Sequence, residues 1–160
     1  MVQVVLPNDA NPLGFILGGT VMHLIDIAGA IACHRHTRTR LVTAAVDGLQ
    51  FLHPIKVGDL IILRARVTCT FATSLETEVD VYSEEVLTGL RRLTSRAYLT
   101  FVAIDKEGRP QPVPDESVRY HHRPLRPLDQ PVHVEWRAVA ELEFLVDLFG
   151  LTDRRIQFVE

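Results

Sequence analysis

Two cysteines in 160 residues leave no material for a disulfide framework. Cys33 and Cys69 also lack the partner spacing of a metal site, so no metal and no stapled scaffold is expected. No apolar run reaches the ~18 residues of a membrane span, and residues 1–7 lack the basic start and long apolar stretch of a secretory signal. An excess of one charge is missing too. Seventeen Lys and Arg stand against 20 Asp and Glu, a formal net charge of −3 with the signs interspersed. That balance offers no broad field for nucleic acid and no polybasic run for an anionic membrane. There is no internal repeat. The expectation is one soluble globular chain in a reducing cytoplasm, long enough to bury roughly 70% of its unfolded surface.

Against that ordinary background one carboxylate stands out. Asp26 lies inside residues 21–32, a segment otherwise almost wholly apolar, just after Gly18, Gly19 and Thr20. At helical spacing Val21, Leu24, Ile25, Ala28, Ile31 and Ala32 cover one flank, while Met22, Ile27, Gly29 and Ala30 cover much of the other. A helix apolar nearly all round is a buried helix. Burying an ionised carboxylate costs several kcal/mol, roughly, unless partners satisfy it. Asp26 is therefore the first candidate for chemistry.

The rest of the chain reads as α+β. Residues 2–6 are a short β-prone opening, and residues 8–19 form a loop rich in Asn, Pro and Gly whose backbone amides can face a ligand. The helix begins near Gly19 or Thr20 and fades by His36. Strand patterns follow at 41–51, where Val42, Ala44 and Val46 alternate, and at 60–70, 75–82 and 90–105, with a turn at 54–59. In the third of these, Leu75, Thr77, Val79 and Val81 oppose Glu76, Glu78, Asp80 and Tyr82, the pattern of a sheet with one wet face. Six of the nine prolines then fall between Arg109 and Pro131, an extended connector that closes a core domain of residues 1–108. Within the remaining residues 109–160, Val139, Leu142, Leu145, Val146 and Phe149 predict a tail helix over 134–149, ended by Gly150.

The run Asn11-Pro12-Leu13-Gly14, the pair Gly18-Gly19, Asp26, then Val42-Thr43-Ala44 with Asp47, Phe51, Pro54 and Gly58-Asp59, closed by a last strand at 94–105, resembles the acyl-CoA thioesterases of the hot-dog fold. The likeness spans about residues 3–108 and is closest to the bacterial and cytosolic acyl-CoA hydrolase branch. It implies a curved antiparallel sheet wrapped around one long helix, a homo-oligomer built as a dimer or a trimer of dimers, and active sites between subunits. It further implies that Asp26 and Asn11 form the catalytic pair in hydrolysis of an acyl-CoA to free acid and CoA. No cofactor is implied beyond the CoA carried by substrate and product, and Thr73 and Ser74 occupy a loop position that contacts CoA in similar proteins.

Chemistry gives these residue types their use. Thioester hydrolysis needs a nucleophile and a place for the oxyanion, and backbone N–H groups of Gly18, Gly19 and Thr20 at a helix start supply the second. Asp26 activates water or attacks directly, and Asn11 orients the water or polarises the carbonyl. Arg91, Arg92 and Arg96 are the cations available for CoA phosphates. Each has a plainer explanation. A buried acid can be bonded to backbone donors or His23, glycines can serve packing, Asn11 before Pro12 can start a turn, and the arginines can guard a strand edge. His34 and His36 point different ways on the helix without a ligand cluster, His121 and His122 lie in the connector, and His53-Pro54 fits a turn. Two other functions use the same pocket: an acyl-CoA binding module without catalysis, and a hot-dog dehydratase acting on acyl carrier protein, for which His23 is the available histidine. Phe15, Ile16, Leu17 and Met22 are placed to line or close an acyl pocket.

Overall fold

The computed structural model describes residues 1–113, and the predicted tail helix and His121-His122 lie outside the described residues. A short strand, β1 (Val2–Val4), leads through a 3-10 turn at Pro7–Asp9 into α1 (Gly18–Thr37). Four strands follow: β2 (Arg40–Phe51), β3 (Leu60–Thr70), β4 (Ser74–Glu84) and β5 (Arg91–Ile104). They form one antiparallel sheet in the order β1-β3-β4-β5-β2 with α1 against one face, which is the expected hot-dog arrangement.

Alternation decides which side chains meet the helix. Leu75, Thr77, Val79 and Val81 of β4 and Ala97, Leu99, Phe101 and Ala103 of β5 are buried on the helix side. The opposite face carries charge paired across strands, Arg66 with Glu78 and Arg96 with Asp80. The helix closes with Arg38 in the left-handed conformation (φ 56°), its N–H bonded to the His34 carbonyl, while His34 Nδ1 donates to the Thr39 carbonyl at 2.8 Å. His34 is thus part of the helix end.

Three features go beyond what local pattern shows. First, α1 is buried on one side only within the chain. Val21, Leu24, Ile25, Ala28, Gly29 and Cys33 face the sheet, whereas Met22 and Ile31 are about 40% exposed and Asp26 is half-buried. A sheet on one side can cover only one flank of a helix. Second, the alternation Val42-Ala44-Val46 is broken in β2, whose register against β5 shifts between Thr43 and Ala45 and again between Val46 and Gly48. Each shift inserts an extra residue, bends the strand and re-aims its side chains. Third, the sheet is tied down beyond residue 108: Gln111 N–H bonds the Ala103 carbonyl, Val113 N–H bonds the Ala72 carbonyl, and the Val113 side chain is buried.

Candidate functional site

Helix α1 starts without a cap. Leu17 stands at the N-cap position and offers no side-chain hydrogen bond. Val21 N–H is the first to find a helical acceptor, Leu17 O at 3.1 Å, so the amides of Gly18, Gly19 and Thr20 have no partner among the described residues. The chain enters this point through a small fold-back in which Ala10 bridges Ile16 and Leu17 N–H bonds the Asp9 carbonyl at 2.8 Å. Beside the helix start lies a cavity of about 360 Å³ lined by Ile16, Gly18, Val21, Phe51, Leu52 and His53, among others. Three unpaired donors at the positive end of a helix dipole beside a largely apolar cavity can hold a carbonyl oxygen as it gains charge.

Within the chain, neither helix-start glycine is needed for packing. A Cβ on Gly19 meets nothing within 4 Å, and one on Gly18 makes ordinary contact with Phe51 at 3.6 Å. Neither has a positive φ. The packing glycine is Gly29, where a Cβ would stand 3.0 Å from two ring carbons of the buried Phe101. The sequence marks all three alike, because only the partner across the sheet distinguishes them.

Asp26 has a specific partner that the sequence reading did not assign a role. The Thr43 hydroxyl donates to Asp26 Oδ1 at 2.5 Å, and Oδ2 accepts no hydrogen bond among the described residues. Thr43 stands at the first register shift of β2. His23, one turn before Asp26, is exposed and makes no bond to it. The carboxylate is thus held by one oxygen and left with the other free, the arrangement a base or nucleophile needs.

Asn11 does the work of a turn and keeps a hand free. Its Oδ1 accepts from the N–H groups of Leu13 at 3.0 Å and Phe15 at 3.2 Å, which fixes the orientation of the amide. Its NH2 makes no hydrogen bond among the described residues and is available to donate to a carbonyl.

The chain does not bring these groups onto one reacting centre. Asp26 lies eight residues beyond Gly18, which at 1.5 Å per residue is about 12 Å along the helix. A thioester oxygen and the carbon beside it cannot touch both. No hydrogen bond joins Asn11 to Asp26 either. The expected CoA contacts are also divided. Thr73 and Ser74 are at the β3–β4 turn and Arg91 and Arg92 at the β4–β5 turn, separated by the length of β4, about 33 Å at 3.3 Å per residue. Arg91 is engaged by Glu84 at 2.6 and 3.0 Å, and Arg96 by Asp80, whose hydrogen bond holds the guanidinium pKa up. Arg92 alone of the three has no ion pair among the described residues. No group of three His, Cys, Asp or Glu among the described residues could hold a metal, and no described helix is long and apolar enough to cross a membrane.

Residues 13–89 match the family profile of the Thioesterase superfamily. A Bacillus subtilis protein called an uncharacterized acyl-CoA thioester hydrolase is 41% identical over 124 residues, 74% of this chain and 72% of that one. Among solved structures, an apo hexameric acyl-CoA thioesterase superposes with TM-score 0.70 at 43% identity, covering 71% of this chain and 73% of that one. An acyl-CoA hydrolase from Staphylococcus aureus, solved with butyryl coenzyme A, coenzyme A and coenzyme A disulfide, gives TM-score 0.68 at 38% identity over 71% of this chain and 70% of its own. That hydrolase has also been solved with one aspartate, one asparagine or one threonine changed to alanine.

Proposed function

Because the chain belongs to the acyl-CoA thioester hydrolases of the thioesterase superfamily, we propose that its active site joins Asp26 of one copy to the bare helix amides of another. The reaction is hydrolysis of an acyl-CoA thioester to the free carboxylic acid and CoA. The chain works as a homo-oligomer. The observation that carries the two-copy site is the ~12 Å between Gly18 and Asp26 along one helix. Donors and nucleophile must each stand about 3 Å from the reacting carbonyl, so one chain supplies only one of them.

In this reading the thioester oxygen rests against the N–H groups of Gly18, Gly19 and Thr20, with the acyl chain toward the cavity bordered by Ile16, Val21 and Phe51. Asp26 Oδ2 takes a proton from water as the water oxygen attacks the carbonyl carbon, or attacks that carbon itself. The C–S bond then breaks and the CoA sulfur leaves with the proton that Asp26 took from water; on the direct-attack route it leaves as thiolate, and water then cleaves the acyl–Asp26 anhydride, releasing the free acid, restoring the carboxylate and supplying the proton that the thiolate takes up. Thr43 holds Oδ1 and so fixes the rotamer of the carboxylate. Asn11 donates from its free NH2 to the carbonyl or the water. The aspartate, asparagine and threonine changed in the Staphylococcus aureus hydrolase are the same three residue types. Thr73, Ser74 and Arg92 are the proposed CoA contacts, drawn from both turn ends of β4 and hence from different copies.

The outer edge of β2 supplies the pairing surface. It is a long strand bonded only to β5, and none of its residues is fully buried. Pairing of two β2 edges gives a dimer, and three such dimers give a trimer of dimers. Cys33 and Cys69 are free thiols, which suits a reducing compartment, and the proposed location is the cytoplasm.

The test is CoA release from acyl-CoAs of increasing chain length by wild type and by Asp26→Asn, with folding and oligomeric state verified for both. Turnover by wild type and a loss of at least a thousandfold in the folded variant is the expected result. Equal rates would remove Asp26 from the mechanism. Binding without turnover would leave an acyl-CoA binding module.

A further inference from the structure

The second open feature lies on the other flank of the molecule, at the edge of β3. Strand β1 covers only the first part of β3, pairing Val2, Gln3 and Val4 with Ile62, Ile61 and Leu60. Met1 and Leu63 then exchange both backbone hydrogen bonds at 2.8 Å, and the pairing stops. Hydrogen-bonding residues alternate along an antiparallel strand, so the next groups facing that edge are those of Ala65 and Val67. Their N–H and C=O groups have no partner on that side among the described residues.

Beside this bare edge runs a groove of about 440 Å³, floored by Ala28, Ile31 and Ala32 of α1 and by Ala65 and Val67 of β3. Ile31 is 41% exposed there. The rim is cationic. Arg35 and His36 line it, no lining residue is acidic, and Arg35 has no ion pair among the described residues. Arg66 also borders the groove, but its guanidinium is engaged by Glu78 at 2.8 Å. Beneath the rim His36 Nε2 is buried without a hydrogen-bond partner among the described residues, a cost that stands until something supplies the missing bond.

We propose that this groove is a docking site for an extended acidic peptide segment of a partner protein, added as an antiparallel strand to the free edge of β3. The open edge from Ala65 to Thr70 accepts about six residues, ~20 Å of strand. The segment continues the line of β1, bonds Ala65 and Val67 through its backbone, and sets alternate apolar side chains against Ile31, Ala28 and Ala32. Its acidic side chains meet Arg35. A second copy of this chain is the poorer occupant, because a self-paired edge brings like charge to like charge. Nothing here depends on the hydrolase reading, since none of these residues belongs to the proposed active site.

The experiment is amide hydrogen exchange by NMR on the full chain. The probe is a capped seven-residue peptide of alternating valine and glutamate, with its lysine-for-glutamate counterpart as control. In the protein alone the Ala65 and Val67 amides should exchange rapidly. With the acidic peptide at millimolar concentration they should slow at least tenfold, the lysine peptide should have no effect, and Arg35→Glu should reverse that preference while leaving CoA release unchanged. Slow exchange without peptide, meaning an edge already covered, would overturn the proposal. So would the absence of slowing, or equal slowing by both peptides.

Discussion

Replacing Gly19 with alanine separates a glycine kept for packing from one kept for the approach of a ligand. The added Cβ meets no heavy atom of the chain within 4 Å, and the backbone conformation suits any residue. Alanine also restricts the unfolded chain, a gain of about 0.4–1 kcal/mol at a compatible site. For a chain of this size that is a rise in Tm of about 1–4 °C. Activity should move the opposite way. A helical Cα–Cβ bond tilts toward the N-terminus, into the space where an acceptor of the Gly19 N–H must sit. A thioester oxygen displaced from one oxyanion donor loses about 10²–10³ in kcat. CoA release and a thermal melt, run on the same preparation of oligomer, give both readings. Hydrolysis at the wild-type rate would refute the assignment of these amides to the carbonyl. A fall in Tm of several degrees would mean that another copy packs on Gly19, so that the glycine serves assembly.

Three further outcomes follow from the geometry. Thr43→Val removes the donor to Asp26 Oδ1 and should lower kcat about 10- to 100-fold, in line with the roughly 1.5–3 kcal/mol of a hydrogen bond to a charged group. Measured in an Asp26→Asn background, the same change should have no further effect, and a fully additive loss would show that Thr43 does not act through Asp26. Gly29→Ala should destabilise by about 1 kcal/mol in a denaturant titration, the cost of overpacking against Phe101 less the helix propensity gained; Phe101→Leu in the same chain should relieve it. Asp105 accepts hydrogen bonds from the backbone N–H groups of Arg109 and Glu107 and from Arg109 Nε, and the Arg109 N–H above all holds its carboxyl below the usual range. Its contribution is present above the ordinary carboxylate pKa and lost as pH falls through the depressed folded value. Asp105→Asn should therefore be less stable than wild type at neutral pH, with the difference shrinking in acid.

Much of the fold is legible in local pattern because each strand has one wet and one dry face. Leu75, Thr77, Val79 and Val81 were placed on the core side by alternation alone, and that is where they lie. The same reasoning fails in β2, since bulges are set by pairing with β5 and leave no mark on the alternation of Val42, Ala44 and Val46. Asp26 was identifiable as an acid in an apolar helix. Its partner Thr43 is 17 residues away in sequence and is revealed only when β2 is laid beside α1. The arginines show the same limit, for Glu84 and Asp80 are matched to Arg91 and Arg96 by cross-strand register rather than by sequence neighbourhood.

The uncapped start of α1 sets stability against use. Leu17 is among the poorest residues for its position, and Leu17→Asp or Leu17→Ser would return about 0.5–2 kcal/mol by satisfying the amide of Gly19 or Thr20. In the proposed mechanism, however, the capping oxygen would occupy the donors assigned to the substrate carbonyl, acting as a tethered competitive inhibitor. Under that mechanism the empty enzyme stays short of its attainable melting temperature, and selection for heat resistance alone would erode turnover at this one position.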